Sequence, residues 1–161
     1  MNRAAWALIA VSAISISLVD RARTQSPTPA PRVQGTLAQL MKGTFYPESN
    51  VVFAAQDENP ADVKRARDPN MATDLLTSSY GKWDAVENSA LAIADVADLM
   101  MLPGRKCSNG ADVPVGNADW ARFVQGLRDA GRMAYEVART KNQDKMTDVA
   151  DVMAAACKAC H

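Results

Sequence analysis

The final five residues, Cys157-Lys158-Ala159-Cys160-His161, read C-x-x-C-H, and His161 is the single histidine in a chain of 161 residues with three cysteines. That residue set at that spacing is the signature of covalent c-type haem attachment. Two thiols add across the two vinyl groups at one porphyrin edge, and the adjacent imidazole ligates the iron. A helix meets this demand, because positions 157, 160 and 161 stand at i, i+3 and i+4 and leave from one face.

Three other chemistries use the same residue types. A C-x-x-C redox pair of the thioredoxin kind belongs near a helix N-terminus, where the dipole lowers a thiol pKa, whereas this pair closes a helix at its C-terminal end. A zinc site built from Cys107, Cys157, Cys160 and His161 is formally a Cys₃His set, yet consecutive Cys160 and His161 make awkward partners on one tetrahedral ion. A plain disulfide between Cys157 and Cys160 gives the histidine no role.

The opposite end of the sequence bears on compartment. Arg3 precedes an uncharged run over residues 4–19, rich in Ala, Ile and Ser, which Asp20-Arg21 stops. Residues 1–23 read as a secretory signal peptide. The run is short of the roughly 20 apolar residues of a membrane span, but no clean A-x-A site follows it, so an uncleaved anchor is the other reading. Both export the body of the protein, and a periplasmic location, where thiols oxidise and c-type haem is attached, is expected. Residues 24–32 form a Pro/Ser/Thr-rich tail of extended character. Residues 33–161 suffice for one compact domain. Eighteen basic and eighteen acidic side chains leave no formal net charge, which gives no support to a nucleic-acid partner; a membrane enters only through an uncleaved N-terminal segment.

An all-α fold positions the motif. Over residues 118–140, Trp120, Phe123, Val124, Leu127, Ala130 and Ala134 recur at steps of three and four, continued by Val137 and Ala138, with arginines on the other side. Residues 143–160 repeat the device with Met146, Val149, Ala150, Val152, Met153 and Ala156. Cys157 follows Ala150 by seven residues and Cys160 follows Met153 by seven, so the attachment edge falls on the apolar stripe. Between Asp68-Pro69, a helix start, and Leu102-Pro103-Gly104, a stop, apolar positions predict a helix of roughly 50 Å, kinked or broken at Gly81. Residues 35–45 predict a first helix that Pro47 interrupts, with a further short turn over residues 50–55 and loop or irregular helix over residues 57–67.

Four helices with the haem motif ending the last resemble the class II cytochromes c, the group of cytochrome c′ and its low-spin cytochrome c-556 relatives. The resemblance covers most of residues 33–161 in helix order and motif placement. It implies an antiparallel four-helix bundle with one covalently attached haem c near the C-terminal end of the last helix, Cys157 and Cys160 as thioether links and His161 as proximal iron ligand. Low-spin members carry a distal methionine on the first helix, and Met41 in LAQLMKG matches that place. Members of the family continue past the histidine, often with a basic residue near a propionate; this sequence stops at His161 and its propionate partners stay unassigned.

A thioether opposite the imidazole fills the coordination sphere and favours outer-sphere electron transfer with a redox partner protein. The other reading of Met41 is packing, since Met is a gap filler and the chain has eight. The iron is then five-coordinate, as in cytochrome c′, and the protein binds a small gas such as nitric oxide or carbon monoxide. Met71, Met100, Met101, Met133, Met146 and Met153 mostly fit helix stripes and read as core. Enzymatic catalysis is not expected: with the one histidine committed to iron, no Ser-His-Asp or Cys-His constellation remains. Trp83 and Trp120 read as packing before electron relays. Arg122, Arg128, Arg132 and Arg139 read as a solvated face before a docking face, and Cys107 as an inert thiol or an intermolecular disulfide. The resemblance also implies a homodimer through the first two helices.

Overall fold

Thr36 and Gln39 cap each other at the start of the first helix. The Thr36 hydroxyl accepts from the Gln39 N–H at 3.2 Å and the Gln39 side chain accepts from the Thr36 N–H at 2.9 Å, a reciprocal pairing that satisfies two otherwise orphaned donors. In the computed structural model, which describes residues 32–161, α1 (Leu37–Leu40) then passes without a break through a π-helical turn (Met41–Phe45) into α2 (Tyr46–Asp57). The signal-type segment and nearly all of the Pro/Ser/Thr-rich tail lie outside the described residues.

The interruption expected at Pro47 is therefore absent. Proline lacks an N–H, and its ring clashes with the carbonyl four residues back, here that of Gly43. The π turn, closed by the Tyr46 N–H on the Met41 carbonyl, widens the backbone immediately ahead of the proline and absorbs the misfit. The rod continues through residues 50–55 instead of restarting there.

The long helix expected over residues 68–102 is also corrected. Asp68-Pro69 opens only a 3₁₀ turn (Pro69–Met71), a second follows (Leu75–Thr77), and the α-helix proper is α3 (Trp83–Val96), which tightens into 3₁₀ over Ala97–Met101. Gly81 dictates the break, because a Cβ there would sit 2.2 Å from the Leu76 carbonyl oxygen. Lys82, at φ 63°, then turns the chain into α3. Met71 consequently lies on a loop, 77% exposed, and belongs to no stripe.

α4 (Ala118–Arg139) follows its periodicity closely. Asn117 caps it, accepting from the Asp119 N–H at 2.8 Å, and Val124, Leu127, Ala130, Ala134 and Ala138 are buried. Met133, expected in the core, faces outward. α5 (Met146–Cys160) follows a 3₁₀ turn (Gln143–Lys145) and buries Met146, Val149, Ala150 and Met153; Val152 turns to solvent.

Among the described residues the fold is all-α, with four helical rods and no strand; one isolated bridge pairs Lys106 with Asp112. No helix among them is long and apolar enough to cross a membrane. The rods touch in a closed cycle: α2 on α3, α3 on α4, α4 on α5 and α5 on α2. Gly131 lets α4 approach α3 closely, since a Cβ there would lie 2.8 Å from the Ala94 nitrogen. Fully buried Val52, Val86, Ile93, Val124 and Met146 draw the core from all four rods.

Arg105 fixes the start of the first rod. It is 5% exposed, and its guanidinium donates to the Leu99 carbonyl at 3.1 Å and the Gly35 carbonyl at 2.7 Å. Beside it the Leu37 N–H donates to the Lys106 carbonyl at 2.8 Å. The residues leading into Met41 are thereby tied to the segment that follows α3.

Candidate cofactor site

The last hydrogen bond of α5 runs from the His161 N–H to the Cys157 carbonyl at 3.3 Å. Helical spacing thus persists through the motif, and Cys157, Cys160 and His161 all border one cleft. Met41 and Phe45, from the π turn, line it as well. The floor is Ile93, Met100, Leu127 and Met153, of which Ile93, Met100 and Met153 are fully buried. A second, more open groove shares Met41, Phe45, Cys157 and His161 and continues along α2 past Tyr46, Asn50 and Phe53.

The deeper cleft is narrow, with a cavity volume of about 30 Å³, and it adjoins the groove, which has about 510 Å³. The groove has the size of a small-molecule site, which is ordinarily apolar with a few placed polar groups. The donor set is two thiols and an imidazole from the end of α5 and a thioether from the π turn, in a lining that is otherwise almost wholly hydrocarbon. That chemistry fits a porphyrin: an apolar ring needs an apolar slot, its vinyl edge needs thiols, and its iron accepts nitrogen and sulfur.

Both thiols of the motif are half-buried, and burial pushes their pKa values up. For Cys157 a backbone hydrogen bond partly offsets this, and for Cys160 the neighbouring Cys157 adds to it. A dithiol tuned for exchange has its nucleophilic thiol lowered instead, so the environment opposes the thioredoxin-type alternative. Among the described residues, no three His, Cys, Asp or Glu side chains converge as a metal-holding group. Cys107, Cys157, Cys160 and His161 therefore do not assemble the zinc set, and Cys157 and Cys160 stand as free thiols.

The sequence pointed to Met41, Cys157, Cys160 and His161, and these four residues line one cleft. It did not single out Phe45, Ile93, Met100 or Leu127. The spacing of seven between Ile93 and Met100 was the available signal, yet an apolar stripe reads the same whether it meets a neighbour or a cleft. Trp83 and Trp120 do not line it. Trp83 is buried beside Lys82 and Lys141, at the far end of α5, a helix of roughly 22 Å. Trp120 donates its indole N–H to the Met100 carbonyl at 3.3 Å, a packing contact next to the cleft floor.

Three of the four arginines of α4 lie in ion pairs, two of them within the helix. Arg122 meets Asp119 at 2.9 Å, Arg139 meets Glu136 at 3.8 Å, and Arg128 pairs with Asp98. Exposed pairs of this sort contribute little stability and leave little unbalanced charge. Cys107 lies half-buried in a turn, its N–H on the Ala111 carbonyl at 2.8 Å.

No protein-family model matches the chain, and searches of curated proteins and of solved structures find no match. The functional reading rests on the motif, the helix order and the geometry of the cleft.

Proposed function

We propose that this chain is a monohaem c-type cytochrome of the class II kind, an exported electron carrier whose four rods form an antiparallel bundle. The observation that carries the reading is that Cys157, Cys160, His161 and Met41 line one apolar cleft. The closed cycle of helix contacts and the short α4–α5 connection support the bundle, since short connections join antiparallel neighbours.

Covalently bound haem supplies a one-electron redox couple. The chain's own residues do the rest. Cys157 and Cys160 would anchor the ring edge by two thioethers, which would prevent loss of the group. His161 would hold the iron through an imidazole nitrogen. Met41 would offer it a thioether sulfur, a ligand that raises the reduction potential. Ile93, Met100, Leu127 and Met153 exclude water, and burial in hydrocarbon favours the less charged, reduced state. Lys42, bordering the open groove, offers a cation to the acidic substituents of a porphyrin.

The test is the optical spectrum of the purified, haem-loaded protein in both oxidation states. A low-spin, six-coordinate spectrum that carbon monoxide leaves unchanged supports the carrier. A high-spin, five-coordinate spectrum with carbon monoxide binding by the reduced protein replaces it with the gas-binding reading.

A further inference from the structure

We propose that Pro47 is a positioning residue for the distal thioether, acting through the π turn over Met41–Phe45. The inference rests on the reading of Met41 as distal ligand and goes beyond it by naming what aims that side chain.

Met41, Phe45 and Ser49 all line both the cleft and the groove. In an uninterrupted α-helix at about 100° per residue, Met41 and Ser49 stand roughly 80° apart, too far round to share a narrow cleft. A turn closed from i to i+5 takes up one more residue than an α-turn, which reduces that offset to roughly 20°. The turn that does so is the one closed by the Tyr46 N–H on the Met41 carbonyl, immediately before Pro47.

Pro47 stabilises that turn over the α alternative. An α-helix at this point would require an N–H from residue 47 to the Gly43 carbonyl, and proline has none, while its ring would collide with that same carbonyl. Alanine at position 47 removes both objections. The helix is then free to close its ordinary turn, which rotates Met41 away from the cleft while leaving α2, and the face it packs on α3 and α5, in register.

The experiment compares full-length, haem-loaded protein with three variants: Met41→Ala, Pro47→Ala, and Pro47→Ala combined with deletion of Gly43. The deletion removes the residue that the π turn had absorbed, so an ordinary α-helix again carries Met41 to the cleft. Each is followed by spectrum, carbon monoxide binding and circular dichroism. The expected result is loss of the low-spin spectrum and gain of carbon monoxide binding in Met41→Ala and Pro47→Ala, with the low-spin spectrum restored in the double variant. Loss in Met41→Ala with an unchanged Pro47→Ala overturns the role of Pro47 and leaves the Met41 ligand standing. An unchanged Met41→Ala overturns the ligand and the inference together. If Pro47→Ala loses its helix signal, the double variant decides: a low-spin spectrum upholds the proposal and a high-spin one overturns it.

Discussion

Met41 and His161 face the same cleft from different rods, Met41 at the first position of the π turn and His161 at the end of α5. One is a thioether, the other an imidazole, and hydrocarbon lines the space they share. On the proposed reading this pairing would distinguish an electron carrier from a gas binder, because it would decide whether the iron has a sixth ligand.

Replacing Met41 by alanine lowers the reduction potential, since the soft thioether that favours ferrous iron is lost. Potentiometric titration of the haem-loaded variant beside the parent checks this. An equal potential in the folded variant removes Met41 from the coordination sphere.

On the proposed reading Cys157 and Cys160 would each hold one edge carbon, so either single alanine variant should keep haem through a denaturing gel by one thioether, at lower yield. The double variant retains none. Cys107→Ser leaves retention unchanged, because that thiol lies in a turn outside the cleft. Retention that depends on Cys107 contradicts this assignment.

In haem-free protein the raised thiol pKa values of Cys157 and Cys160 make stability fall on the alkaline side. The unfolded chain releases its thiol protons first as pH climbs past about 8.5, so the folded state, which holds them longer, loses ground. Urea unfolding at pH 7 and pH 10 should show a steeper alkaline loss than in the haem-free Cys157→Ala/Cys160→Ala variant. Identical slopes in the two proteins contradict the burial argument.

Arg105→Ala leaves the Gly35 and Leu99 carbonyls without their charged donor and should cost about 2 kcal/mol or more of unfolding free energy. Chemical denaturation measures the loss, and amide exchange should locate early opening in residues 35–41. Arg105→Lys restores little, because one ammonium does not reproduce the forked guanidinium. A variant as stable as the parent shows that the clamp contributes nothing.

α4 and α5 were legible because their apolar residues repeat over several turns and their caps and turn residues agree with that period. The first rod was misread at Pro47, since a proline rule predicts an interruption and only the three-dimensional backbone reveals a turn that widens to accept it. The segment before α3 was misread for a different reason. Its apolar residues fit a helix, but Arg65 donates to the Ser78 and Ser79 carbonyls at 2.7 Å each, and Gly81 folds tightly onto Leu76. These long-range and loop contacts override local preference. Cys157, Cys160 and His161 stood out in the sequence because their residue types fall at one five-residue spacing, whereas the cleft floor did not, because Ile93 and Met100 are ordinary core residues in type.

The central claim is covalent haem on Cys157 and Cys160, and the most direct measurement is the mass of the denatured protein, isolated from the periplasm of a host that attaches c-type haem, with a haem stain on the same sample. The account predicts a mass increase of one haem that survives denaturation and locates, after proteolysis, to the peptide carrying Cys157-Lys158-Ala159-Cys160-His161. A protein of unmodified mass with no haem stain, or with Cys157 and Cys160 joined as a disulfide, contradicts it.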